Sequence, residues 1–123
     1  MARGALTATQ LLAAARDVAG RDAAATAGLW PRAAALLARQ ALEAAIDDLW
    51  RATEPQMVAA SARARFLCLP ACGVAPELVT DAAQTWGALS SACHRHAYEL
   101  PPTAEELESL FDRVERVVQA TAR

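Results

Sequence analysis

The most chemically varied stretch of the sequence is Cys93-His94-Arg95-His96-Ala97-Tyr98, which holds both histidines and the single tyrosine of the chain. An ordinary imidazole exchanges protons near neutral pH, and a guanidinium binds anions through a fork of N–H donors. These residue types therefore indicate proton transfer beside a cationic group. A structural alternative stays open, in which the same side chains cap a helix and bond its free carbonyl groups.

A predicted helix carries this stretch at its C-terminal end. Pro76 and Glu77 open the helix, and its apolar residues recur at a spacing of three to four, which is the signature of an amphipathic helix. These residues are Val79, Ala82, Trp86, Leu89 and Cys93. The helix is expected to end near Glu99, before Pro101 and Pro102, because a residue that precedes proline avoids helical angles. Helical spacing would then place His94 and Tyr98 on one face, with His96 pointing away.

Four further segments have helical patterns, and no run alternates with the period of two that strands require. They cover residues 8–19, 33–51, 54–67 and the stretch that follows Thr103. Thr7 with Gln10, and Thr103 with Glu106, have the spacing of capping boxes, and Thr53 is a candidate cap for the 54–67 segment. Residues 21–29 are expected to continue the first helix after a break at Gly20. The sequence thus predicts an all-α bundle of four to five helices in a single domain, residues 1–123.

Composition narrows the protein class. Hydrophobic residues make up 54% of the chain but aromatic residues only 5%, and much of the difference is alanine, a strong helix former. The net charge of −2 gives no global attraction to nucleic acid or to anionic lipid, and every basic side chain is an arginine.

No stretch has the length of a membrane span, and three cysteines without an export signal argue against a disulfide framework. We therefore expect a cytoplasmic protein.

The helical layout resembles the HEPN superfamily (higher eukaryote and prokaryote nucleotide-binding domains), in a small actinobacterial branch. The resemblance covers most of the chain: two early alanine- and leucine-rich helices, the segment Leu37–Ala45, the polar stretch at residues 93–98 and a closing helix after Thr103. Members form helical bundles that often dimerise, and many are metal-independent ribonucleases. The resemblance implies a homodimer that binds RNA or a nucleotide, in a setting such as toxin–antitoxin systems, defence or stress response.

The family signature is only partly present. It consists of an arginine, four to six variable residues and a histidine, and in a toxin branch a tyrosine follows two residues later. His96-Ala97-Tyr98 matches the second part, but Ser91 stands where the arginine is expected. A second alignment places Cys93 at the arginine position and Tyr98 at the histidine position, and it also lacks the arginine.

The resemblance implies roles for particular residues. His96 and His94 are the candidate proton-transfer groups, Arg95 is the candidate charge partner, and Tyr98 is a candidate orienting residue or modification target. Ser91, Arg63 and Arg65 are candidate substrate-binding residues, the two arginines acting from the second subunit of a dimer. RNA cleavage by a 2′-hydroxyl needs a proton acceptor and a cation near the phosphate. It needs no cofactor and no metal, and we expect neither.

Three alternatives are left open by the residues. The first is a non-catalytic helical module that binds RNA or a nucleotide, or that serves for dimerisation or binding of a partner protein, which the missing arginine and the negative net charge favour. The second is a zinc site, for which Cys68, Cys72, Cys93 and the histidines offer ligands, although their spacing is unlike that of common zinc knuckles. The third is a redox switch that joins Cys68 and Cys72 across Pro70.

Overall fold

The computed structural model describes residues 6–20, 30–94 and 100–122. Within these ranges the chain forms five α-helices and no strand. The helices are α1 (Ala8–Gly20), α2 (Trp30–Thr53), α3 (Ala62–Leu67), α4 (Pro76–Cys93) and α5 (Ala104–Thr121), and 3₁₀ helices span Pro55–Ala59 and Leu69–Cys72. The predicted all-α bundle is confirmed. The predicted helical continuation at residues 21–29 lies outside the described residues.

Both predicted capping boxes are present. At the start of α1, the Thr7 hydroxyl accepts a hydrogen bond from the Gln10 amide at 3.1 Å, and the Thr7 amide donates to Gln10 Oε1 at 3.0 Å. Thr103 and Glu106 form the same reciprocal pair at the start of α5. Each box satisfies amide groups that have no partner inside their helix, so these two starts depend on local sequence.

Helix α2 is the central element, because it packs against each of the other four α-helices. Four alanines of α2 have no exposed surface at all, and they let the backbones of neighbouring helices approach closely. They are Ala34, Ala35, Ala38 and Ala41. Larger side chains fill the rest of the core, including Leu42, Trp50, Leu89, Phe111 and Val114. A helix so placed fixes the backbone position of each residue that carries an exposed side chain.

The segment between α2 and α4 corrects the prediction of one helix over residues 54–67. Thr53 is the last residue of α2, and its hydroxyl donates to the Leu49 carbonyl instead of capping a new helix. The chain then forms a 3₁₀ helix, becomes extended at Ala60 and restarts at Ser61, whose hydroxyl accepts from the Ala64 amide. Ser61 is the cap that the sequence analysis missed. Because its cap falls inside the predicted helix, the segment is divided in two.

Helix α3 is held against α2 and α4 by polar and aromatic contacts. Arg65 Nη1 lies 2.7 Å from Asp47 Oδ1, and the Trp50 indole donates to the Arg65 carbonyl at 3.1 Å. On the other side, the rings of Phe66 and Trp86 lie 5.8 Å apart. The contacts with α2 are therefore made at its C-terminal part, at Asp47 and Trp50.

The C-terminal end of α4 differs from the prediction. The helix ends at Cys93, and His94 is its C-cap residue with φ −113° and ψ 17°. The His94 amide donates to the carbonyls of Ser90 and Ser91 at 3.1 and 3.2 Å, which closes the last turn. The predicted end near Glu99 is therefore wrong, and the pairing of His94 with Tyr98 by helical spacing stays a prediction, since Tyr98 lies outside the described residues.

A separate finding concerns membranes. None of the helices in the described ranges combines the length and the apolar character that crossing a bilayer requires.

Candidate functional site at the end of helix α4

Of the candidate catalytic residues, His94 is the one that the structure describes. It is exposed at the end of α4. Arg95, His96 and Tyr98 lie outside the described residues, and their roles stay predictions. The structure therefore tests the surroundings of His94 rather than the whole predicted stretch.

Two arginines of α2 reach the end of α4. Arg32 Nε donates to the Cys93 carbonyl at 3.2 Å, and Arg39 Nη1 lies 3.4 Å from His94 Nε2, within hydrogen-bonding distance. The two arginines are seven residues apart, which is close to two helical turns and places them on one face of α2. We call Arg32, Arg39 and His94 the Arg–His cluster.

The cluster has a structural role in addition to the chemistry that its side chains could perform. The C-terminal end of a helix carries a partial negative charge and carbonyl groups without partners, and a cation there is stabilising by about 0.3–1 kcal/mol. Arg32 meets this description, since it is bound to a carbonyl of the last turn of α4. Arg39 differs, because its partner is a side chain that can exchange a proton.

Glu43 completes the surroundings of Arg39. Its Oε1 lies 3.7 Å from Arg39 Nε, one helical turn along α2. The side chain of Arg39 is 20% exposed and that of Glu43 is 28% exposed, so water screens the pair only in part. The guanidinium groups of Arg32 and Arg39 outnumber the Glu43 carboxylate, so the cluster and Glu43 together have a positive formal charge.

Cys93 precedes His94 in the last turn of α4 and is a buried residue, 7% exposed. Burial raises the pKa of Cys93 above its ordinary value, the nearby charges of Arg39 and Arg32 lower it by less, and Glu43 adds to the rise. Desolvation dominates because the charged thiolate loses its hydration in the protein interior. Cys93 is therefore a protonated, packed thiol at neutral pH rather than an activated nucleophile.

Ser91 lies on a different surface feature. It is exposed and lines a groove of about 390 Å³ between α4 and the start of α5, together with Pro101, Thr103 and Glu106. Arg39 and His94 do not line this groove. Ser91, which stands where the family motif has its arginine, therefore lines a separate groove and is not part of the Arg–His cluster.

The candidate binding arginines of α3 lie apart from the cluster within the subunit. Arg65 is bound to Asp47 and approaches the Val58 carbonyl at 3.5 Å, and Arg63 is exposed. Asp47 lies on α2 roughly 12 Å beyond Arg39, at a rise of about 1.5 Å per residue. The role of these arginines in a second subunit stays a prediction.

The remaining candidate sites involve the cysteines. Among the described residues, no three His, Cys, Asp or Glu side chains are grouped as a metal ion would require. Cys68 is exposed at the end of α3, and Cys72 is half-buried with its Sγ 3.5 Å from the Thr53 hydroxyl. Each of these cysteines is a free thiol.

Sequence reasoning missed Arg32 and Arg39. Arg39 falls inside the segment that carries the family resemblance, but nothing local marks it as a partner of His94. The one available signal is the spacing of Arg32, Arg39 and Glu43, which places three charges on one face of the N-terminal two thirds of α2. No family model, curated protein or solved structure matches this chain.

Proposed function

We propose that this chain is a HEPN-like module that binds RNA or a nucleotide through a phosphate group at the Arg–His cluster, and that its enzymatic activity is metal-independent RNA cleavage. The observation that carries the proposal is the 3.4 Å contact between Arg39 and His94. It joins a permanent cation to a proton-exchanging ring at the surface, and this ring belongs to the stretch that the resemblance singles out.

Phosphate binding follows from the chemistry of the cluster. A guanidinium offers paired N–H donors that match two phosphate oxygens, and charge-assisted hydrogen bonds are roughly twice as strong as neutral ones. Arg32 is exposed and Arg39 partly so, and both belong to the rigid central helix. A bound phosphate would therefore meet donors whose backbone positions are fixed before binding, which lowers the entropic cost of association.

Cleavage would use the same groups. The His94 imidazole takes the proton of a ribose 2′-hydroxyl as the 2′ oxygen forms a bond to phosphorus. The bond from phosphorus to the 5′ oxygen of the next nucleotide breaks, and that oxygen takes a proton from water; the hydroxide so formed takes up the proton held by His94, which returns to its neutral form. Arg39 stabilises the negative charge that grows on the phosphate oxygens. In this scheme α2 supplies the guanidinium that is missing at Ser91, and His96, Arg95 and Tyr98 stay candidates for supporting roles.

One observation favours a second function, a non-catalytic module that binds RNA or pairs with another copy or a partner protein. Glu43 lies 3.7 Å from Arg39 and competes with a phosphate for its guanidinium. A carboxylate beside the charge donor weakens transition-state stabilisation more than it weakens binding along a longer surface. Binding without cleavage is the result that would identify this function.

The test measures cleavage of a mixed-sequence single-stranded RNA in the presence of EDTA. Removing a positioned charge donor typically costs a rate factor of about 100 to 1,000, so Arg39→Met should lower the rate by that order. His94→Ala should lower it comparably. Arg51→Met is the matched control, because Arg51 is an exposed arginine of the same helix that is paired with Asp48 at 2.9 Å.

Three outcomes separate the possibilities. Loss of cleavage in Arg39→Met and His94→Ala, but not in Arg51→Met, supports the enzyme. Equal residual cleavage in all variants indicates a contaminating nuclease and removes the enzyme proposal. RNA binding that depends on Arg39 without any cleavage supports the non-catalytic module.

A further inference from the structure

Glu43, Arg39 and His94 form a continuous polar chain that crosses from α2 to α4. Glu43 Oε1 lies 3.7 Å from Arg39 Nε, and Arg39 Nη1 lies 3.4 Å from His94 Nε2. Nε and Nη1 of Arg39 face different partners, so the guanidinium is placed between a carboxylate and an imidazole. Its orientation depends on both ends of the chain.

The contact with Arg39 determines which nitrogen of His94 carries the proton. A guanidinium is a donor only, and it cannot accept a hydrogen bond. His94 Nε2 must therefore present its lone pair to Arg39 Nη1, and the proton of the neutral ring must lie on Nδ1. This arrangement is the less common tautomer of a free histidine side chain in water.

Glu43 has a reason to be where it is beyond helix stability. Arg39 Nε is buried and has no hydrogen-bond partner among the described residues, so a carboxylate close to it offsets the cost of a partly buried charge. Pairs four residues apart stabilise a helix best when the acid precedes the base, and here the arginine comes first. Helix stabilisation alone therefore does not account for the pair.

We infer that Glu43 is a positioning residue, which aims the Arg39 guanidinium at His94, and that Arg39 holds His94 as the Nδ1–H tautomer with the Nε2 lone pair facing the phosphate-binding side. The consequence for the reaction rests on the proposed function. A phosphate that binds Arg39 draws the guanidinium away from the ring and leaves Nε2 as the proton acceptor. Proton uptake by His94 is thereby coupled to the arrival of the phosphate.

The experiment is nitrogen-15 NMR of the histidine rings in the full chain, in alkaline buffer where imidazole is neutral. The signals of His94 are identified by their loss in His94→Gln. The wild type should show a protonated Nδ1 and an unprotonated Nε2. In Arg39→Met the ratio of the two tautomers should move toward Nε2–H by about threefold to tenfold, the change that a typical hydrogen bond accounts for.

Glu43→Gln tests the positioning role, because it removes the charge of the side chain and keeps its shape. It should move the ratio in the same direction by a smaller factor, while Arg39 is still present. Asp48→Asn is the matched control, since it removes one charge from an exposed carboxylate of the same helix, and it should leave the ratio unchanged. Circular dichroism of each variant checks that the helices remain formed.

The outcomes distinguish this inference from the proposed function. A wild-type His94 with its proton on Nε2 overturns the inference, and so does a Glu43→Gln ratio equal to that of the wild type. RNA binding measured on the same samples is a separate readout. If the tautomer pattern is present but RNA neither binds nor is cleaved, the positioning role stands and the proposed function falls.

Discussion

At the scale of single residues, the environment of each side chain decides what chemistry it can perform. Cys93 and His94 are neighbours in sequence, yet the thiol is 7% exposed while the histidine is exposed at the end of its helix. Arg39 acts on both, since it contacts the His94 ring and lowers the pKa of Cys93 less than burial raises it. Burial therefore keeps the Cys93 thiol protonated despite the nearby arginine, while the exposed His94 ring can contact a ligand.

The three thiols should therefore differ in reactivity. The thiolate is the form that attacks iodoacetamide, and burial raises the pKa of Cys93 above its ordinary value, so little of this thiol is ionised at neutral pH. At neutral pH we expect Cys93 to react more slowly than the exposed Cys68 by on the order of tenfold. Mass spectrometry of the labelled peptides measures the rates. Equal rates for the two thiols would contradict the burial that the structure gives Cys93.

At the scale of the elements, helix starts follow from local sequence, whereas side-chain contacts between helices do not. Thr7 and Thr103 begin their helices as predicted, because a capping box is complete within four residues. The end of α4 lies before the position that Pro101 predicts, because the His94 amide closes the last turn on the carbonyls of Ser90 and Ser91. Local sequence thus predicted the start of a helix better than its end.

The sequence analysis also did not predict that Arg39 contacts His94. The partnership of Arg39 with His94 exists because α2 packs against α4, and no pattern within either helix encodes the distance between the two side chains. The sequence predicted that His94 belongs to a chemically active region. It predicted a guanidinium partner at Arg95, or at Arg63 and Arg65 of a second subunit. Tertiary packing supplies one from a helix that lies far away in sequence.

The close packing of α2 should be sensitive to added volume. Ala38 has no exposed surface, so Ala38→Leu inserts three carbon atoms where neighbouring helices meet and should lower the free energy of unfolding by about 1–3 kcal/mol. The control is Ala83→Leu, the same change at an exposed position of α4, which should alter the free energy of unfolding by less than about 0.5 kcal/mol. Urea denaturation measures both. Equal effects of the two changes would mean that α2 is not closely packed at Ala38.

At the scale of the whole molecule, the distribution of charge matters more than its sum. The net charge is −2, and several arginines face carboxylates directly: Arg16 lies 3.0 Å from Asp112, Arg65 lies 2.7 Å from Asp47 and Arg51 lies 2.9 Å from Asp48. The Arg–His cluster differs, because Arg32 is bound to a carbonyl and Arg39 shares one carboxylate at 3.7 Å. Under the proposed function, a polyanion would therefore bind at the Arg–His cluster.

The measurement that tests this most directly is the affinity for single-stranded RNA at several salt concentrations. Arg39→Met should weaken binding by roughly tenfold, and the slope of log affinity against log salt should become shallower by about 0.7, the value for one lost phosphate contact on a single strand. Arg51→Met, with the same loss of charge on the same helix, should change neither quantity. If the two variants weaken binding equally, or if the wild type binds no RNA at all, the Arg–His cluster is not a phosphate-binding site.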